Sequence, residues 1–497
     1  MKSGKGSPLL VAALGTVLVS VLAVIWSRGE PVIGHDSFSY IELTKEFREH
    51  PPDHFGDWWP FGLPLLAAAL THFGLSAFAG LAAVTAAAYL GMIWCFWWAL
   101  PDESKGWTTL ALVVTAICAP VCPILLCMVW SEPLFSVFVF GFAIALGRWP
   151  SKRAIVAAMV MAIAAFCVRY VGAFAVGLIG LWTLLQWNSL GRTQRRGFVV
   201  VSYLVTILIT GFLLYLNYRH SGSIAGPQPV GREPFSLWPQ HLADFGWSPV
   251  SAFISNSVLR DVGGIRSPAG LAGGAALIAG VGWYLFRRWK SATSPATTAV
   301  ILTIAGYSLA MVTLRATTRF DSLSNARTFL PVLFPLAYLV ATGEVGRFRR
   351  AVMLGCGISV TASLLLAARG ISPKVKPDIT AARSALARVL KPGQTVAVNG
   401  EARALAAYFE NRFQPPAMKK DGVTALWETL ELWDARNSDF TVVVEPSKTT
   451  ASAESAAEAA RWADLIRRAV ASGQAKIVAA DNSFVLLEGL KAAPGSP

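Results

Sequence analysis

Residues 9–40 read LLVAALGTVLVSVLAVIWSRGEPVIGHDSFSY. The run Leu9–Trp26 holds no charged side chain. It approaches the roughly 20 residues a helix needs to cross a bilayer. In lipid every backbone N–H and C=O must be satisfied inside the segment, so such a run is a helix. Lys2 and Lys5 precede it in the manner of a secretory signal. The apolar part is long for a signal and lacks a clear small-residue cleavage site, so it reads as a retained first span. Just beyond it stands an isolated polar cluster, Gly34-His35-Asp36-Ser37.

The rest of the chain repeats the pattern. Of 497 residues 54% are hydrophobic and 14% charged, where a soluble domain carries about 25% charged. Phe198–Leu216 and Ala351–Ala368 are further long apolar runs. The expectation is a polytopic α-helical membrane protein with about eleven transmembrane helices. They fall near 8–27, 77–100, 107–127, 133–148, 154–168, 171–187, 198–217, 268–286, 296–314, 328–345 and 350–368. The short pair 154–168 and 171–187 meets at Arg169.

A formal net charge of +14 raises nucleic acid as a partner, but its placement argues for a membrane. The basic residues gather between apolar runs: Lys2/Lys5, Lys105, Arg148/Lys152/Arg153, Arg192/Arg195/Arg196, Arg287/Arg288/Lys290 and Arg347/Arg349/Arg350. All these clusters fall on one parity of the span count. The positive-inside rule makes that side cytoplasmic, with the amino terminus inside and the carboxyl terminus outside. The six cysteines lie in or beside apolar runs and read as packing residues.

Residues 1–370 thus form a transmembrane domain with external segments 28–76, 218–267 and 315–327. The first segment contains a polar helix-like stretch, Asp36–His50. It also holds a Trp58-Trp59-Pro60 turn and an apolar stretch, Phe61–Phe73, suited to the interface. After residue 370 the apolar runs shorten and charges of both signs alternate. Residues 371–497 read as a small external α/β domain. Its strands are expected at Thr395–Asn399, Phe440–Glu445, Lys476–Ala479 and Phe484–Leu487, its helices at Ala402–Asn411 and Ala451–Ala471. Alternating strands and helices imply partly parallel pairing. No GxGxxG or P-loop occurs there.

Candidate chemical residues cluster on the external side. Asp36 and Tyr40 are one helical turn apart on one face. Asp36 is either a helix N-cap or a membrane-proximal carboxylate acting as a general base. Glu132, in a short turn between apolar flanks, is either a cap of the span that starts at Pro133 or a functional group, since ionisable side chains at membrane depth are costly. Arg169 either snorkels to the interface or binds an anion such as phosphate. Arg315, Arg319 and Arg327 admit the same reading, with Asp321 a partner for one of them. A divalent cation between Asp36 and Glu132 stays open, because two carboxylates alone do not define a site.

Taken in order, these stretches resemble the GT-C superfamily of membrane glycosyltransferases, in particular the protein O-mannosyltransferase and aminoarabinose-transferase-like types. Gly34-His35-Asp36-Ser37-Phe38-Ser39-Tyr40 resembles the first-loop acidic motif. Trp58-Trp59-Pro60-Phe61-Gly62-Leu63-Pro64-Leu65-Leu66 is similar to the W-P-P-G-Y-P-like segment, with Phe61 in place of the second proline. Ser131-Glu132-Pro133-Leu134-Phe135 resembles the second-loop acidic motif, and Val168-Arg169-Tyr170-Val171-Gly172 the R-Y-x-G turn. Ala326-Arg327-Thr328-Phe329-Leu330-Pro331 resembles the R-Y-L-x-P start of a late span, with Phe329 as its aromatic. The resemblance spans about residues 8–345.

What it implies is an inverting glycosyltransferase that moves a hexose or pentose from a polyprenyl-phosphate-linked donor to a lipid, glycan or protein hydroxyl. The location implied is the external face of a bacterial inner or plasma membrane. Asp36 would be the base and Glu132 the acceptor-orienting or metal-binding residue. Arg169, Arg327, Arg319 and Arg315 would bind the donor phosphate, and His35, Tyr40 and Tyr170 would line the substrate. A transporter or flippase for lipid-linked glycans is the alternative. It would show repeats and mid-membrane polar sites, whereas the polar candidates here gather at one face. A glycan ligase or polymerase is the third reading, and no motif names the sugar or acceptor.

Overall fold

The structure is a computed structural model of the full chain. It describes residues 8–27, 31–50, 60–190, 193–221, 237–253 and 268–369 except 293, 319–325 and 344. Beyond these it describes 379–390, 396–398, 400–414, 441–444 and positions between 464 and 489. The chain forms two compact units. The first comprises Met1–Glu30, His50–Ala69 and Ala79–Ile371; the second comprises Pro31–Glu49, Leu70–Phe78 and Ser372–Pro497.

Helices dominate the first unit. After α1 (Pro8–Ser27), α2 (His35–Glu49) and α3 (Gly62–Thr71) come α4 (Ala77–Ala99), α5 (Trp107–Cys118), α6 (Val121–Cys127) and α7 (Glu132–Gly147). Then follow α8 (Lys152–Val168), α9 (Ala173–Leu185), α10 (Thr193–Ser221), α11 (Trp238–Gly246) and α12 (Ser248–Phe253). The last are α13 (Pro268–Lys290), α14 (Pro295–Thr318), α15 (Leu330–Ala341) and α16 (Val345–Arg369). Of these, α2 belongs to the second unit.

Among the described residues α1, α4, α10, α13 and α14 are long and apolar enough to cross a membrane. The pair α5–α6, bent by 48°, makes a sixth if counted as one span. Pro120 sits at that break, and a proline has no N–H to continue the ladder. A helix or the bent pair stands at each of the eleven expected places. Among the others α7 has 16 residues and α8 has 17, about 25 Å of helix against a hydrocarbon core of about 30 Å, and in α16 the described apolar stretch is Val352–Ala362. The chain is therefore a multi-pass membrane protein. Its outward side chains agree: Leu184 is 73% and Leu208 69% exposed in the absence of lipid.

Large side chains fill the core of this unit. Phe142, Leu146, Ile155, Met159, Ile179 and Trp182 pack together across α7, α8 and α9. Phe96 meets Phe334 edge-on at 6.0 Å. The approach of α14 to α7 depends on Gly147, where a Cβ would stand 2.4 Å from the Ala296 Cα.

The second unit carries a five-stranded mixed sheet in the order β2-β1-β3-β5-β4, from β1 (Val396–Val398), β2 (Phe413–Gln414), β3 (Thr441–Val444), β4 (Ala475–Ala480) and β5 (Val485–Gly489). β1 runs parallel to β2 and β3, while β5 is antiparallel to β3 and β4. The short β2 and α17 (Ile379–Val389) were not anticipated; the helix expected at 402–411 is a 3-10 helix, Gly400–Ala407. Most of the expected helix 451–471, with Trp58 and Trp59, lies outside the described residues.

Helix α2 is clasped inside this unit. The Lys45 side chain is fully buried. Its Nζ donates to Glu42 Oε1 at 2.9 Å, to the Asn411 carbonyl at 2.8 Å and to the Ala406 carbonyl at 3.1 Å. It also lies 4.8 Å from the centre of the Phe413 ring. Glu42 Oε2 accepts from the Phe413 backbone N–H at 2.6 Å. Arg412 donates to Glu46 at 3.0 Å, and Arg48 pairs with Glu410. Burial pushes the Glu42 carboxyl above its ordinary value and the Lys45 ammonium below its own, and each one's opposite charge pulls the other way.

Candidate functional site

Three motifs distant in sequence meet in the first unit. The first is the α6–α7 turn. Trp130 N–H donates to the Leu125 carbonyl and Val129 N–H to the Leu126 carbonyl, at 3.2 and 3.3 Å. This is a Schellman closure, whose C′ residue takes a left-handed conformation and is usually glycine. Here it is Val129, at φ 48°. A β-branched residue in that region is strained, and such strain is commonly held at functional sites. The turn delivers Ser131 and Glu132 to the start of α7, with Pro133 behind them.

The second motif ends α8. Arg169 is its C-cap, in extended backbone at φ −153° and ψ 133°. The 3-10 helix Tyr170–Gly172 follows. Gly172 is required there, since a Cβ would stand 2.5 Å from the Ala165 carbonyl carbon. The third motif is the 3-10 helix Ala326–Phe329, which leads into α15.

Arg169 Nη1 donates to Glu132 Oε1 at 2.6 Å and to Ser131 Oγ at 3.2 Å. Arg327 Nη1 stands 3.8 Å from the same Glu132 oxygen. Its guanidinium lies 4.8 Å from the centre of the Trp130 ring. Glu132 is 3% exposed and Arg327 6%. Glu132 Oε2 is buried with no hydrogen-bond partner among the described residues. Two guanidiniums thus share one oxygen of one carboxylate. The capping alternative for Glu132 gives way to an ion pair, and the snorkelling alternative for Arg169 to a half-buried partner of that pair.

Two further residues brace the segments next to the arginines, and the sequence did not single them out. Tyr307 of α14 donates its hydroxyl to the Thr328 carbonyl at 2.9 Å, next to Arg327. Its ring packs against Phe135 and Phe174 at 6.0 and 5.8 Å. Asn217 of α10, fully buried, donates from Nδ2 to the Tyr170 hydroxyl. Their buried polar groups inside apolar spans were the available signal.

The remaining candidates lie as follows. Asp36 is half-buried in the first turn of α2, in the second unit. It is not the N-cap: the helix opens at His35, and the Gly34 N–H is met by Ser37 Oγ at 3.1 Å, a capping-box bond. A carboxylate at that position also suits the positive end of the helix dipole. Tyr40 is buried, 2% exposed. Arg315 lies in the last turn of α14, and Arg319 falls outside the described residues. A divalent cation at Glu132 meets two guanidiniums already on its oxygen. Among the described residues no group of three or more His, Cys, Asp or Glu could hold a metal.

Two apolar recesses flank α14. One, of about 270 Å³, is lined by Leu242, Phe245, Val281, Val312, Phe329 and Val332 among others. The second is a more open groove of about 520 Å³ with Tyr170, Phe174, Gly177, Gly306 and Thr313 in its wall. Their edges thus include Phe329, two residues after Arg327, and Tyr170, beside Arg169.

No protein-family model and no curated protein matches the chain. Solved structures do. ArnT from Cupriavidus metallidurans bound to undecaprenyl phosphate is similar over 100% of both chains, at a TM-score of 0.62 and 14% identity. The same protein in the apo state matches over 98% of both, at 0.58 and 14%. An oligosaccharyltransferase from Archaeoglobus fulgidus is similar over 89% of this chain and 68% of that one, at 0.49 and 14%.

Proposed function

We propose that this chain, whose fold is that of the GT-C superfamily, is an inverting glycosyltransferase using a polyprenyl-phosphate-linked sugar on the extracytoplasmic face. The observation that carries the reading is the convergence of Arg169 and Arg327 on Glu132 from three motifs far apart in the chain. Undecaprenyl phosphate is the ligand of the ArnT structure similar along the whole chain. The eleven-span topology, with the amino terminus inside and the second unit outside, is part of the same reading and rests on the parity of the basic clusters.

In this mechanism Arg169 and Arg327 bind the donor's phosphate. Arginine suits that task through its planar fork of donors. Glu132 holds both side chains in place, with Tyr307 and Asn217 bracing the segments that carry them. The polyprenyl tail takes the apolar recess that ends at Phe329. Asp36 accepts the proton of the acceptor hydroxyl, whose oxygen attacks the anomeric carbon from the face opposite the phosphate. The C1–O bond breaks and its electron pair leaves on the phosphate. The arginines stabilise that developing charge best where water is excluded.

The test is Asp36→Asn in the purified full-length protein, supplied with a polyprenyl-phosphate sugar and assayed for release of polyprenyl phosphate. Loss of transfer with normal membrane insertion is expected. Wild-type turnover in the variant would remove Asp36 as the base. Comparison of envelope glycans and glycolipids with and without the protein would then name sugar and acceptor.

A further inference from the structure

Three stretches of the first unit carry charge of one sign. They are 147–153 between α7 and α8, 186–197 between α9 and α10, and 287–296 where α13 gives way to α14. Each holds three Lys or Arg and no Asp or Glu. No acidic residue occurs anywhere in 133–232 or 262–320. Packing gathers the three stretches at one end of the helices. Trp149, Leu190, Val199 and Ala299 share one buried cluster, and Trp187 and Phe198 pack against it. Gly147 lies against Ala296.

Five of these cations lie over aromatic rings. The Arg148 guanidinium stands 3.6 Å from the centre of the Trp98 ring, and Trp98 stacks on Trp94 at 5.7 Å. Arg196 lies 5.1 Å from Trp187 and Arg287 5.6 Å from Trp283. Lys152 is 5.6 Å from Phe198 and Lys290 4.6 Å from Phe286. Among the described residues none of the five pairs with a carboxylate. A ring attracts a cation through its quadrupole and leaves the charge in place. The donors of arginine lie in the guanidinium plane, so a ring beneath it leaves them available to phosphate oxygens. Trp98, Trp283 and Phe286 are 43%, 61% and 56% exposed in the absence of lipid. Aromatic side chains at the end of a span sit at headgroup depth. This end therefore presents cations at the depth where lipid phosphates lie.

We propose that this end of the first unit is a docking surface for anionic phospholipids, whose headgroup phosphates seat on Arg148, Lys152, Arg196, Arg287 and Lys290. The exposed rings commit it to lipid, since a polyanion in water would leave them wet. The surface is separate from the site of the proposed function and does not rest on it. Lys152 and Arg169 stand at opposite ends of the 17-residue α8, about 25 Å apart along the helix.

The experiment titrates the full-length protein in a neutral detergent with dioleoyl phosphatidylglycerol, which is anionic, or with dioleoyl phosphatidylcholine, which has no net charge. Native mass spectrometry counts bound lipid. At low salt the wild type is expected to bind the anionic lipid about tenfold more tightly, because each cation near the surface favours it. At about 0.5 M salt the gap should narrow severalfold, since the Debye length shortens. Each cation replaced in Arg148→Gln, Arg287→Gln and Lys290→Gln should lower affinity for the anionic lipid about fivefold. Affinity for phosphatidylcholine should not change. Arg169→Ala, at the other end of α8, should keep the wild-type preference.

Equal affinity of the wild type for the two lipids overturns the inference and leaves the cations with an orienting role alone. A preference that survives all three Gln substitutions overturns it too, and so does one that disappears in Arg169→Ala, which would move the lipid phosphate to the other end of the helix. Should a variant fail to fold, the wild type decides: a preference that does not fall with salt overturns the inference. None of these outcomes bears on Asp36 or on sugar transfer.

Discussion

Removing Lys45 tests what fixes the helix that carries Asp36. Its ammonium is fully buried and satisfies Glu42 Oε1 together with the carbonyls of Ala406 and Asn411. Lys45→Ala leaves Glu42 buried, with Arg412 Nε at 3.7 Å as the remaining cation beside it. Breaking one side of a buried pair costs about 3–5 kcal/mol, because the other charge remains uncompensated. For a unit of this size that corresponds to roughly 10 °C in unfolding temperature. The double variant Glu42→Gln/Lys45→Met removes both charges and keeps the volume. Its expected cost is about 1–2 kcal/mol, from the two carbonyls that lose a donor. The assay is limited proteolysis of the full-length protein at rising temperature, following cleavage between residues 379 and 489. If Lys45→Ala melts with the wild type, or the double variant falls as far as the single one, the clasp does not work through charge compensation. A destabilised clasp should also lower transfer, because α2 holds Asp36 in its first turn.

Four further substitutions test the first unit. Arg169→Ala and Arg327→Ala should each weaken binding of a polyprenyl-phosphate sugar about tenfold to a hundredfold, the range of hydrogen bonds to charged groups. Because they share Glu132, their effects should not add; donor affinity unchanged in either variant removes that residue from the phosphate site. Gly172→Ala places a Cβ 2.5 Å from backbone at Ala165, so Tyr170 and Arg169 must shift. It should lower kcat/KM at least tenfold. Gly177→Ala, where a Cβ meets nothing within 4 Å, should leave kcat/KM near wild type. Equal effects of the two glycine substitutions would show that Gly172 does not position Arg169.

What the sequence determined alone follows from lipid as solvent. Apolar runs such as Leu9–Trp26 admit only helices, and basic clusters at one parity suggest a side, because both effects are local to the chain. The strands at 396–398, 441–444, 475–480 and 485–489 were legible for a similar reason: short β-branched runs between turn residues. The identity of the polar candidates was legible too, since a charge amid apolar flanks is conspicuous. Their partners were not. Whether Glu132 caps a helix, binds a cation or meets an arginine depends on where α8 and the 326–329 turn end in space, and the carboxylate has the same sequence neighbours in every case. Tertiary packing brought Arg169 and Arg327 onto one oxygen, across 37 positions in the chain for the first. It also chose Tyr307 and Asn217 as braces and assigned α2 to the second unit through Lys45. Pairings of this kind depend on distances between segments whose sequence separation is set by span and loop length, and hydrophobic periodicity carries no information about them.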